Sequence, residues 1–189
     1  IGGATTSEPT GGNDGAYMRT IVNDFGVTFR NNTNADDLGD YTTADRITIS
    51  MDVRVDYLNF FGQDVSRPWL VELRDVDGAQ GGYPYNIVWF LFDNISQANN
   101  SEWMTYSVSF NPNSTDLPAG WGGYGAEDPI TYEPILPDGV SFSDVLSGVD
   151  EMVFTTLQPG FFFGFTDHTI GIDNLSITRT VVPAPATLA

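Results

Sequence analysis

The chain contains no cysteine, no lysine and one histidine in 189 residues. The missing cysteines exclude disulfides, thiolate metal sites and cysteine nucleophiles together. With His168 the only imidazole, a zinc site built on several histidines is excluded as well. No Gly-x-Ser-x-Gly elbow is present for a serine nucleophile. His168 stands beside Asp167 and reads as an exposed turn residue just before the last strand. No apolar run is long enough to cross a bilayer as a helix. Positive charge is equally scarce. Seven arginines face 25 acids, and the net charge is −18. A polyanion of this kind repels nucleic acid and anionic head groups, which removes both as partners.

What is present favours strands. Aromatics reach 13% and hydrophobics 41%, with 20 glycines and 11 prolines to make turns. The clearest signal spans residues 46–57. There Ile47, Ile49, Met51, Val53, Val55 and Tyr57 alternate with polar residues, the period of a strand with one buried face. Further strands are expected at 16–22, 69–74, 86–92, 104–110, 152–156 and 169–178, separated by Gly, Pro, Asn and Asp clusters. Residues 142–149 read as one short helix capped by Ser141. The expected fold is all-β: an antiparallel two-sheet sandwich with one short helix and extended N- and C-terminal tails. Residues 111–140 form a long Gly/Pro loop holding Trp121, Tyr124 and Tyr132.

Two stretches resemble known families. Val181-Val182-Pro183-Ala184-Pro185-Ala186 resembles the start of a PEP-CTERM sorting signal, with Ala184 where that family carries glutamate. The resemblance implies export, and a membrane contact only transiently through a segment beyond Ala189. Gly11-Gly12-Asn13-Asp14-Gly15-Ala16-Tyr17, the stretch 142–149 and Ile172-Asp173-Asn174-Leu175-Ser176-Ile177 resemble secreted jelly rolls of the laminin-type and carbohydrate-binding-module class. They imply a two-sheet jelly roll over 14–180, between an N-terminal segment (1–13) and a sorting remnant (181–189). Because the chain begins at Ile1 without methionine, it reads as a mature product of the secreted or cell-surface compartment.

Candidate sites follow from residue chemistry. Tyr83, Tyr85, Trp121, Tyr124 and Tyr132 could stack on sugar rings or close an open end of the sandwich. Trp69, Trp89 and Trp103 read as core or sheet-face residues. Calcium is the metal that suits an acidic, cysteine-free chain. Asp75 and Asp77 in an Asp-x-Asp-Gly turn are candidate ligands, and the jelly-roll resemblance adds Asp173. Asn31, Asn94, Asn99, Asn113 and Asn174 lie in glycosylation triplets. The N-terminal segment, with Ile1, Thr5, Thr6 and Pro9, reads as an assembly arm seated on a neighbouring copy, giving a non-catalytic, self-assembling extracellular subunit. The second reading is a monomeric carbohydrate-binding or matrix-adhesion module, with polysaccharide as partner and calcium as its cofactor.

Overall fold

The computed structural model describes residues 3–181. Its strands, in chain order, are β1 (Gly3–Gly12), β2 (Gly15–Asp24), β3 (Thr28–Asn31), β4 (Arg46–Phe60), β5 (Gln63–Asp64), β6 (Arg67–Asp75), β7 (Asn86–Ile95), β8 (Met104–Phe110), β9 (Trp121–Tyr124), β10 (Ala126–Glu127), β11 (Pro134–Ile135), β12 (Glu151–Thr155) and β13 (Thr166–Thr180). One helix, α1 (Phe142–Leu146), follows β11. Sheet A has the order β1-β2-β13-β4-β5, with β8 paired to β4. Sheet B has the order β3-β12-β6-β7-β9. Every pairing is antiparallel. The inner faces of both sheets share one hydrophobic core, as a jelly-roll sandwich requires.

β4 shows how the sequence places the sheets. Ile47, Ile49, Met51, Val53 and Val55 are all fully buried. The alternation then breaks: Tyr57 is 42% exposed while Leu58 is fully buried. Thr169 of β13 pairs with Tyr57 and Ile170 with Val55, which leaves Asp56 as an extra residue. A bulge of this kind reverses which face the following side chains occupy. α1 begins with a capping box: Ser141 Oγ accepts the Asp144 N–H at 3.1 Å, and the Asp144 carboxylate accepts the Ser141 N–H at 2.8 Å. The Ser141 hydroxyl also donates to the Asp144 carboxylate at 2.6 Å, and this bond together with the Ser141 N–H holds the carboxyl below its usual range. Phe142, Val145 and Leu146 anchor the helix to the core.

The N-terminal segment is a strand of its own domain. Gly3 to Glu8 pair with Val22 to Tyr17 of β2, and the ladder shifts register between Glu8 and Gly12, around Pro9. Proline cannot donate to a ladder, so this edge position suits it. Thr5 Oγ1 meets Thr20 Oγ1 at 2.8 Å, and Thr6 Oγ1 donates to Glu8 at 2.7 Å. Residues 3–12 are therefore paired within the chain rather than projecting as a free arm. The expected Ile1 anchor lies outside the described residues, as does the sorting-like segment 182–189.

The hairpin turn between β1 and β2 curls over the outer face of sheet A. Arg54 and Trp103 Nε1 both donate to the Gly11 carbonyl, at 3.0 and 3.2 Å. The Arg54 guanidinium lies 4.7 Å from the Trp103 ring centre and 5.2 Å from that of Tyr17. Asp52 receives Thr105, Asn13 and Asn174. Burial alone would raise its carboxyl, and these hydrogen bonds outweigh burial and hold it low.

Candidate functional site

The outer face of sheet B carries the candidate site. In β7, Val88, Phe90 and Phe92 pack toward the core, so alternation sends Ile87, Trp89 and Leu91 outward. Trp89 lies in register with Glu72 on one side and Gly122 on the other. A Cβ at Gly122 would collide with the Trp89 indole, so glycine lets the ring lie flat across β9. The Trp89 Nε1–H is itself buried, without a partner among the described residues, so what the ring presents is its apolar face.

Two loops build walls around this tryptophan. Asp128 organises the first. Its Oδ1 accepts the N–H groups of Ile130 and Thr131, both at 2.8 Å, and its carbonyl accepts the Tyr132 N–H at 2.9 Å. The backbone donors hold the Asp128 carboxyl below its usual range. Tyr132 is thereby held at φ 60° and is 73% exposed. A tyrosine in the left-handed region is strained. The second wall is the loop after β12, which supplies Gln158, Pro159, Gly160 and Phe161. The two loops meet where Gly160 abuts Pro134. Between them lies an open cleft of about 420 Å³, lined by Trp89, Tyr132, Glu133, Gln158 and Phe161 among others.

Toward the other end of the same face, Tyr83 and Tyr124 meet edge to face with ring centres 5.3 Å apart. Burial pushes the Tyr124 hydroxyl up. The Arg74 guanidinium lies 4.5 Å from the centre of the Tyr85 ring. Arg74 is pinned by Glu72 at 2.5 Å and Glu151 at 3.3 Å, and Arg30 reaches Glu151 at 3.3 Å. Burial pushes the Glu72 carboxyl up against the pull of Arg74, so the pair is a tight structural brace.

Four of the five expected aromatics thus reach sheet B's outer side. Trp121 does not: it is 9% exposed and packs against Phe90, Phe110 and Phe142 with ring centres 4.7–5.6 Å apart. Its strand, β9, was hidden in the glycine-rich loop, and the alternation of a strand turns Trp121 inward. Phe161, Gln158 and Glu133 carried no readable pattern in the sequence. Trp69 is core and Trp89 sheet-face, as expected, while Trp103 lies just outside β8 on sheet A.

His168 also departs from expectation. It is 1% exposed within β13 rather than in an exposed turn, and neither ring nitrogen has a well-aligned hydrogen-bond partner among the described residues. The last strand starts at Thr166, three residues before the expected Thr169.

The candidate calcium ligands lie apart. Asp75 and Asp77 flank the turn leaving β6 in sheet B, whereas Asp173 sits in β13 of sheet A. Asp75 Oδ1 accepts the Gly78 N–H at 2.7 Å. Asp150 Oδ2 accepts those of Val76 and Asp77 at 2.7 and 3.2 Å. Asp173 accepts the Asn13 N–H at 2.7 Å and that of Asp14 at 3.3 Å. Among the described residues, no three histidine, cysteine or acidic side chains converge as a metal site. Of the glycosylation triplets, Asn94, Asn99, Asn113 and Asn174 are exposed and Asn31 is half-buried. Asn31, Asn113 and Asn174 donate to Asp37, the Ala44 carbonyl and Asp52.

No family model matches the sequence, and no curated protein matches it. Solved structures do resemble the fold. One is a family 11 carbohydrate-binding module from Clostridium thermocellum in complex with a β-1,3-1,4-mixed-linked tetrasaccharide. It is 14% identical with a TM-score of 0.50, over 96% of this chain and 86% of that one. The same module family from a cellulosomal cellulase of that organism gives 13% and 0.51, over 97% and 86%. An exo-β-agarase gives 12% and 0.53, over 95% of this chain and 22% of that one. At such identities the likeness establishes the fold: a β-sandwich of the kind used by carbohydrate-binding modules. No helix among the described residues is long and apolar enough to cross a membrane.

Proposed function

We propose that this chain is a non-catalytic carbohydrate-binding module of the extracellular space, which takes a glycan chain along the outer face of sheet B. The observation that carries the reading is the cleft over Trp89. An indole floor, a tyrosine wall and a phenylalanine wall offer apolar faces to sugar rings. Glu133 and Gln158 stand at the rim to accept and donate hydrogen bonds to hydroxyls. The fold likeness to carbohydrate-binding modules supports the same reading. The only histidine is buried, without a well-aligned partner among the described residues, which takes that side chain out of acid-base chemistry on a ligand. A self-assembling subunit finds no such support, since β1 pairs with β2 of its own chain.

The test is isothermal titration against a panel of soluble glycans, with Trp89→Ala and Tyr132→Ala beside the unaltered chain. Truncating an aromatic hot spot costs about 2 kcal/mol or more, roughly thirtyfold in Kd. A panel without any binder, or a binder indifferent to both substitutions, refutes the proposal.

A further inference from the structure

More than half of the chain's 13 phenylalanines lie at one end of the sandwich. They come from three places: Phe25 after β2, Phe60 and Phe61 at the β4–β5 turn, and the loop 161–165. The groups touch one another. Phe25 packs at a tilt against Phe165 and Phe162, with ring centres 4.1 and 4.8 Å apart. Phe60 meets Phe61 at 4.7 Å and closes over Gly164, where a Cβ would strike its ring. Phe163 covers the Arg67 guanidinium, 4.7 Å from its ring centre, so only part of the cluster serves to seal the sandwich. The remainder faces out: Phe61 is 87%, Phe162 80% and Phe161 64% exposed. Phe61 is also held at φ 49°, a costly conformation for an aromatic residue. An apolar patch of this kind on a chain of net charge −18 calls for a partner.

We infer that this phenylalanine end is a second contact surface for glycan, one that lies on the face of a solid, uncharged polysaccharide rather than on a single dissolved chain. The inference rests on the carbohydrate-binding reading above. Three observations choose the occupant. The surface is continuous with the cleft, because Phe161 belongs to both. Phenylalanine has no hydrogen-bonding group, so its partner must present C–H faces without needing its hydroxyls met there. Chains packed in a solid do that, their hydroxyls being satisfied by neighbouring chains. Charge removes the competitors. Arg67 is buried and bonded to Thr166 at 2.6 Å, while Asp24, Asp64 and Asp167 adjoin the end. Anionic lipid and acidic polysaccharide are therefore repelled, and a second copy brings the same large negative charge.

The experiment compares the unaltered chain, Phe61→Ser/Phe162→Ser and Trp89→Ala in two binding assays. One is sedimentation with an insoluble neutral β-glucan; the other is titration with a soluble β-glucan. The double variant should lose at least tenfold in partition onto the solid while its soluble-glycan Kd stays within twofold. Trp89→Ala should weaken both. Equal partition of the double variant and the parent overturns the inference while leaving the cleft reading intact. Failure of the parent to bind either glycan defeats the cleft reading itself, and this inference with it. Two further outcomes overturn it: a parent dimer dispersed by the double substitution, which assigns the patch to a second copy, and zwitterionic-vesicle binding abolished by it, which assigns it to lipid.

Discussion

His168 lies on the face of β13 that also carries Ile170 and Ile172, with 1% of its surface exposed. Burial lowers its affinity for a proton, and Arg67 adds to the effect against the opposing backbone carbonyls and Asp167. The folded pKa therefore lies below the ordinary imidazole value of 6.5. Above that pH neither state binds the proton and the neutral imidazole contributes its full stability. As pH falls below it, the unfolded chain protonates first, and stability is lost until the folded pKa is passed. A neutral His168→Gln variant lacks this slope. Denaturant unfolding at pH 7.5 and pH 5.0 should show the parent losing more stability between the two than the variant does. The many carboxylates contribute equally to both proteins, so parallel losses would refute a neutral buried histidine. The side chain also shows what a sequence conceals. Thr-Asp-His-Thr has the polar look of a turn, and only pairing of His168 with Val22 and Leu58 on either side makes it a buried strand residue.

Elements were legible in proportion to their burial. β4, β7, β8 and β12 announced themselves through apolar alternation or apolar runs, because one or both faces pack on something. β1 did not. Its Gly, Thr, Ser and Pro residues are nearly all exposed, and it is held by ladder hydrogen bonds that leave no hydrophobic signature. β9 was lost for a related reason: Gly122 and Gly123 accommodate Trp89 and Leu136 at close range, so the residues that suit a strand partner look like a loop. The bulge at Asp56 was equally invisible, since register is a property of two strands. These elements give two tests. Gly122→Ala should overpack the Trp89 contact, lowering unfolding free energy by about 1–3 kcal/mol and changing the near-ultraviolet circular dichroism of the indole; an unchanged spectrum would remove Gly122 as the determinant of the ring's position. Ser141→Ala deletes one half of the α1 capping box and should cost about 1 kcal/mol by denaturant unfolding, with no cost expected only if Asp144 alone caps the helix.

At the scale of the whole molecule, charge opposes the fold. The 25 acids outnumber seven arginines, and six of those arginines are committed locally, Arg67 among them through Thr166. Arg74 and Arg30 brace Glu72 and Glu151, Arg54 and Arg19 meet Asp56, and Arg179 donates to the Leu38 carbonyl. Most carboxylates therefore face one another through solvent. Their mutual repulsion acts over a screening length of about 30 Å at 0.01 M salt and about 8 Å at 0.15 M, and the compact state feels it more than the expanded chain. The melting temperature should rise on the order of a few degrees as sodium chloride increases from 10 to 300 mM. Calcium sharpens the same experiment. Asp75 and Asp150 are occupied by turn N–H groups, and Asp173 is occupied at the β1–β2 turn on the other sheet. Calcium chloride should therefore match sodium chloride at equal ionic strength. A rise with millimolar calcium well beyond the sodium curve, lost in Asp75→Asn or Asp173→Asn, would instead locate a specific ion at that carboxylate and make it part of the fold's stability.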